Sequence, residues 1–185
     1  MTASQPDRTP ASRTDPTVLA PEAIFRIERW SASSGNDRPS RASLVLAGGD
    51  RRWHAHATGN GAVDALMRAV DEAVARVLPE PLELLTYNVH ATGHGHAAAA
   101  SVTLSIRQAS AAPGAPAYPG RATHANVLEA SVAAYLDAIN GLIVNRGIDV
   151  AAAAPLVRGS RRKDAGEDAE ARAHAANGLM DLYNR

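Results

Sequence analysis

Gly59-Asn60-Gly61-Ala62-Val63-Asp64-Ala65-Leu66 marks the point where one periodicity gives way to another. Upstream, Arg52-Trp53-His54-Ala55-His56-Ala57-Thr58 alternates strictly, as a half-buried strand does. Downstream, Val63, Leu66, Ala69/Val70, Ala73/Val74 and Val77 recur at the spacing of an amphipathic helix that ends before Pro79 and Pro81. Two glycines flanking an asparagine are more than a helix start needs. One explanation is a turn requiring positive φ. The other is a bare helix N-terminus whose unpaired N–H groups receive a small carboxylate, with Asn60 either capping the helix or touching the ligand.

Working outward, Ala23 to Trp30 reads as a first strand, Ser31 to Arg41 as a loop, and Ala42 to Ala47 as a second strand. The Gly48-Gly49-Asp50 turn joins that strand to the third in a hairpin. After the first helix, Leu82 to His90 and Ala98 to Ile106 read as strands four and five across the Gly93-His94-Gly95-His96 turn. Tyr118 to Ala125 is a short sixth strand. Asn126 then caps a second helix, with Glu129 in the capping-box position, and Arg146-Gly147 closes it. The order strand-strand-strand-helix therefore occurs twice. This predicts an α+β fold of two βββα units, antiparallel strands with helices on one face. Residues 1–22 are a polar N-terminal tail expected to be disordered. Residues 23–147 form the domain. Residues 148–185 are a polar C-terminal tail, either partly helical or disordered.

Composition narrows the function. Formal charge is zero, 19 basic against 19 acidic residues, which lacks the electrostatic footprint of a nucleic-acid binder. Cysteine is absent, which excludes disulfides and thiolate chemistry. No signal sequence is evident and no apolar run approaches a membrane span, so a cytoplasmic protein is expected. No nucleophile elbow or phosphate loop is present, and Asp64, Asp71 and Glu72 read as a solvated helix face. His54, His56 and the His94/His96 turn read as a polar strand face and a polar turn, with a metal site as the weaker alternative. Neither a catalytic residue nor a cofactor is expected.

Small residues at Ala98 and Ala100, with Tyr87 and Ala91 nearby in sequence, either line a pocket for a small aliphatic amino acid or merely admit a close-packed helix. Three motifs in order support the pocket. GNGAVDAL, then Leu84-Leu85-Thr86-Tyr87-Asn88-Val89-His90-Ala91, then Ala130-Ser131-Val132-Ala133-Ala134-Tyr135-Leu136-Asp137-Ala138-Ile139-Asn140 resemble the C-terminal regulatory domain of alpha-isopropylmalate synthase, which citramalate synthases share. The resemblance covers roughly residues 23 to 146. It implies two βββα units, a dimer, and a feedback-inhibitor site near the dimer interface. By motif it assigns ligand contact to Asn60, Gly61, Val63, Leu84, Tyr87, Ala91, Ala98 and Ala100. Leu84 shares a face with Tyr87 only if a bulge intervenes. Two departures stand out: Ala62 replaces a common proline, and the histidine-bearing turn replaces one with an acidic residue.

The enzymes also carry a (β/α)₈ barrel of about 250 residues, for which 185 residues leave no room. The expected function is thus a non-catalytic module that binds leucine or a similar branched-chain amino acid, as a homodimer or with a separate synthase catalytic subunit. A structural dimerisation module without ligand is the rival, and a His-rich metal binder the third reading.

Overall fold

The computed structural model describes residues 24–95 and 98–153. The readings made for residues 1–22, for His96 and for the segment from Arg158 onward lie outside the described residues.

The chain forms two βββα units. In the first, β1 (Arg26–Ser33), β2 (Ser40–Gly48) and β3 (Arg51–Gly59) form an antiparallel sheet in that order, followed by α1 (Ala62–Val74). In the second, β4 (Leu82–Thr92), β5 (Ala99–Gln108) and β6 (Tyr118–His124) repeat the order and lead into α2 (Val127–Arg146). Each helix lies on the last two strands of its own unit, and the two helices pack together. The inward face of β2 and β3 carries Ala42, Leu44, Leu46, Trp53 and Ala55, all buried, while His54 and His56 point to the exposed face. On β5, Ala100, Val102, Leu104 and Ile106 supply the corresponding row.

The first strand of each unit breaks register near its start. On β1 the pairing with β2 shifts between Ile27 and Arg29, so that Ile27 opposes Leu46 and Trp30 opposes Leu44. On β4 the pairing with β5 shifts between Leu84 and Thr86, so that Leu84 opposes Ile106 and Tyr87 opposes Leu104. A bulge adds one residue, which puts two side chains three apart in sequence on the same face.

Helix α2 begins as its sequence dictates. The Asn126 side chain accepts from Leu128 N–H at 2.9 Å, and Gly147, at φ 63°, donates its N–H back to Ile143 and Val144. The capping box is not closed by Glu129, because Asn126 N–H donates to His124 Nδ1 instead. Ala130, Val132, Ala134, Leu136, Ala138, Ile139, Leu142 and Ile143 are all buried. Each fully buried Leu or Ile contributes about 1.5–3 kcal/mol. Helix α2 is long and apolar enough to cross a membrane by length and composition, although Glu129 and Asp137 interrupt its apolar run. The physical reason lies in its neighbours. It packs on β5 and β6, against α1 and beside β1, and so keeps little polar face.

Close approach of α2 to its sheet depends on Gly120 of β6. A Cβ there would lie 2.0 Å from Ala134 O and 2.7 Å from Ala138 N. Arg121 N–H donates to Asp137 Oδ2 at 3.0 Å, fastening the strand to the helix one residue on. At the far end of the domain Val150 is fully buried, against Gly48.

Candidate functional site

The two glycines that announce α1 have different tasks, and neither has positive φ. This corrects the turn-geometry explanation. Gly59 serves packing: a Cβ would sit 2.6 Å from both Ala65 N and Asp64 Oδ2. Gly61 is the N-cap, extended at φ −152° and ψ 169°, with no side-chain cap; a Cβ there would meet nothing within 4 Å. Asn60 does not cap the helix. Its backbone N–H donates to Asp64 Oδ2 at 2.9 Å, which holds the Asp64 carboxyl below its ordinary range, helped by Arg68. Exposed Asn60, open Gly61 and half-buried Val63 thus surround a bare helix start.

The second group lies on β4 and β5. The bulge supplies the condition that Leu84 needed, so Leu84, Tyr87, Val89 and Ala91 all share the inward-facing side. Ala91 pairs directly with Ala100, and Ala98 lies two residues before Ala100 at the start of β5. On β5 this face is covered, but on β4 it is open: Leu84, Tyr87 and Val89 are 41%, 36% and 43% exposed. The Tyr87 hydroxyl is fixed. Ser131 donates its Oγ–H to Val127 O at 2.6 Å, so Tyr87 donates to Ser131 Oγ at 2.7 Å, across to the first turn of α2. Ser131, unremarked within the alanine-rich helix pattern, is the partner that sets the tyrosine's angle. Its single signal in sequence was a polar residue at an apolar-spaced position.

No hydrogen bond between described residues joins the α1 group to the β4–β5 group. Four clefts that described residues bound, between β1 and α2, along β3 and α1, at the α1–β4 turn and on the outer face of β1 to β3, are lined by other residues. The alternative of a close-packed helix fits Gly120 better than the alanines, since Gly120 is where α2 touches its sheet.

The solvated-face reading of the α1 carboxylates needs one correction. Asp71 sits between the helices and accepts from Tyr135 O–H at 2.7 Å. Burial pushes its carboxyl up from the ordinary value, the Tyr135 bond opposing, and burial likewise pushes the Tyr135 hydroxyl up. Ser131 and Tyr135 are one turn apart on α2, so the same stretch of that helix holds β4 through Tyr87 and α1 through Asp71.

The family model described as the LeuA allosteric (dimerisation) domain matches residues 13–143. Relatives include a 2-isopropylmalate synthase of Salinibacter ruber, 32% identical over 120 residues, or 64% of this chain and 20% of the relative. Another, from Ruminiclostridium cellulolyticum, is 32% identical over 133 residues, 72% of this chain and 24% of the relative. A third, from Prochlorococcus marinus (strain NATL1A), is 30% identical over 131 residues, 70% of this chain and 23% of the relative. The chain spans only about a fifth to a quarter of the length of these synthases. With the family model matched across both βββα units, the chain belongs to the LeuA allosteric (dimerisation) domain family.

Proposed function

We propose that this chain is a non-catalytic, cytoplasmic regulatory module of leucine biosynthesis. It binds a branched-chain amino acid, leucine foremost, and acts on a 2-isopropylmalate synthase-type catalytic unit through a homodimer interface. The observation that carries the reading is the β4–β5 face. Its bulge aligns Leu84 with Tyr87, and it presents small Ala91, Ala98 and Ala100 beyond them. Such a face offers apolar wall and space to an aliphatic side chain. The N–H groups of Gly61 and Val63 at the start of α1 offer a carboxylate the positive end of a helix, beside exposed Asn60. Because Leu84, Tyr87 and Val89 are uncovered in one chain, a second copy completes the enclosure. Ligand then acts by binding one interface geometry more tightly than another.

Thermal-shift titration with leucine, isoleucine and valine tests this. Stabilisation should follow RT ln(1 + [L]/Kd), about 2.7 kcal/mol at a hundredfold excess over Kd. Gly61→Leu, built into open space at an ordinary φ, should remove the response and leave fold and oligomer intact. A melting temperature indifferent to all three amino acids would instead favour a structural dimerisation module.

A further inference from the structure

We infer that the outer face of the first sheet, turned away from the helices, is a docking surface for an extended acidic polypeptide segment. The inference does not rest on the β4 reading. Register decides which side chains stand there. Arg26 shares a row with Arg52 across Ala47, and Arg29 shares the next with Val45 and His54. Arg41 lies six residues before Ala47, on the same side of β2. All four arginines are exposed. Against them stands Glu28, at the β1 bulge, and it pairs with Arg52. Arg26, Arg29 and Arg41 have no ion-pair partner among the described residues. The repeat shows that this charge belongs to one sheet alone. On the equivalent face of the second sheet, Thr86 bonds Ser105, Thr123 bonds Ser101, and Glu83 pairs with Arg107. Arg121 is the one arginine there without an ion-pair partner among the described residues. A chain whose formal charges cancel therefore gathers its cations on the first sheet.

Charge complementarity calls for a partner with several anionic groups, and a guanidinium pairs with a carboxylate in a planar fork. From the Ala47 row to Arg41 the stripe runs about 20 Å at roughly 3.3 Å per residue, the span of about six to eight residues of extended chain. The hollow over Val45, bounded by Glu28, Arg29, Arg52 and His54, holds about 250 Å³, below the range of small-molecule sites. It suits one side chain of a partner better than a free ligand. No Phe, Tyr or Trp stands on this face, so it lacks the stacking platform of a single-stranded nucleic-acid site. Val45 and Ala47, its apolar residues, are buried at 7% and 4% exposure, so neither inserts into a membrane.

Fluorescence anisotropy of labelled octa-L-glutamate titrated with the full chain tests this. Saturable binding is expected, and it should weaken as salt is raised, because exposed charges are screened beyond about 8 Å at physiological ionic strength. Octa-L-glutamine should not bind. Replacing two exposed cations together, Arg26→Gln with Arg29→Gln, should weaken binding about tenfold, each exposed contact being modest by itself. The melting temperature should stay within about 2 °C of wild type, since neither side chain is buried. Arg121→Gln, on the second sheet, should bind as wild type does. The inference is overturned if octa-glutamate fails to bind at millimolar concentration in low salt, or if octa-glutamine binds as well. It is equally overturned if Arg121→Gln weakens binding as much as the double variant, or if a thymidine octanucleotide or phosphatidylglycerol vesicles bind as tightly as the acidic peptide.

Discussion

Strands β1 and β4 hold equivalent places in the two repeats, each at the edge of a three-stranded sheet and each with a bulge just before an aromatic residue. Their surroundings differ. Beside β1 lies α2, whose Asn140 amide pairs with both the N–H and the C=O of Phe25, and Ile27, Trp30 and Ala32 are packed against the core. Beside β4, the Tyr87 hydroxyl makes the one side-chain hydrogen bond to α2 among the described residues, and Leu84, Tyr87 and Val89 stay exposed. Two copies of one supersecondary plan thus yield one edge strand half-buried against the core and one whose apolar residues stay exposed.

The harshest way to break the comparison is to lift α2 from its sheet. Gly120→Val would drive a side chain into Ala134 O and Ala138 N, and should cost about 3 kcal/mol or more in urea unfolding. Trp30 should lose its cover at the same time, read as a red-shifted emission. Next in size is the paired test of the faces themselves. Ile27→Asp places a charge against the core, and should cost roughly 2–3 kcal/mol of chain stability. Val89→Asp on β4 should change the stability of a single chain by less than about 0.5 kcal/mol, yet shift the sedimentation profile toward monomer. Equal losses at both positions would mean that the two strands are covered alike, and the contrast would be gone.

Tyr87→Phe sharpens the picture at smaller scale. It removes the hydrogen bond between β4 and α2 and should cost about 1 kcal/mol, matched non-additively by Ser131→Ala in a double-mutant cycle. The smallest effect belongs to Asp71. Its carboxyl is raised in the folded state, so protonation favours folding, and the cost of ionisation is absent below the ordinary value of 3.8 and grows as pH rises through the raised one. Asp71→Asn keeps an acceptor for Tyr135. It should be slightly more stable than wild type at neutral pH, with the difference vanishing toward pH 3 in denaturation curves.

Much of this was legible in the chain itself. The change of period at GNGAVDAL located β3 and α1, alternation in β5 named its buried row, and Asn126 and Gly147 bounded α2. The fold followed because these are local choices: a cap, a turn glycine, a two- or 3.6-residue repeat. The site was less legible. Gly59 and Gly61 look alike in sequence, but one meets Ala65 and the other empty space, a difference made only by where the helix lands. Asp71 carries the charge and spacing of a solvated face, and is half-buried because α2, 64 positions away through Tyr135, comes to lie beside it.

What the sequence determined, then, is the repeat, its element types and the residues that face inward, since each depends on neighbours within a few positions. What only the tertiary structure decided is which of the inward faces is actually covered. Whether Leu84 joins Tyr87 rests on a one-residue shift of register against β5, and how far β1 and β4 are covered rests on where the helices land. Both depend on contacts between segments distant in the chain, whose free energy no local pattern encodes.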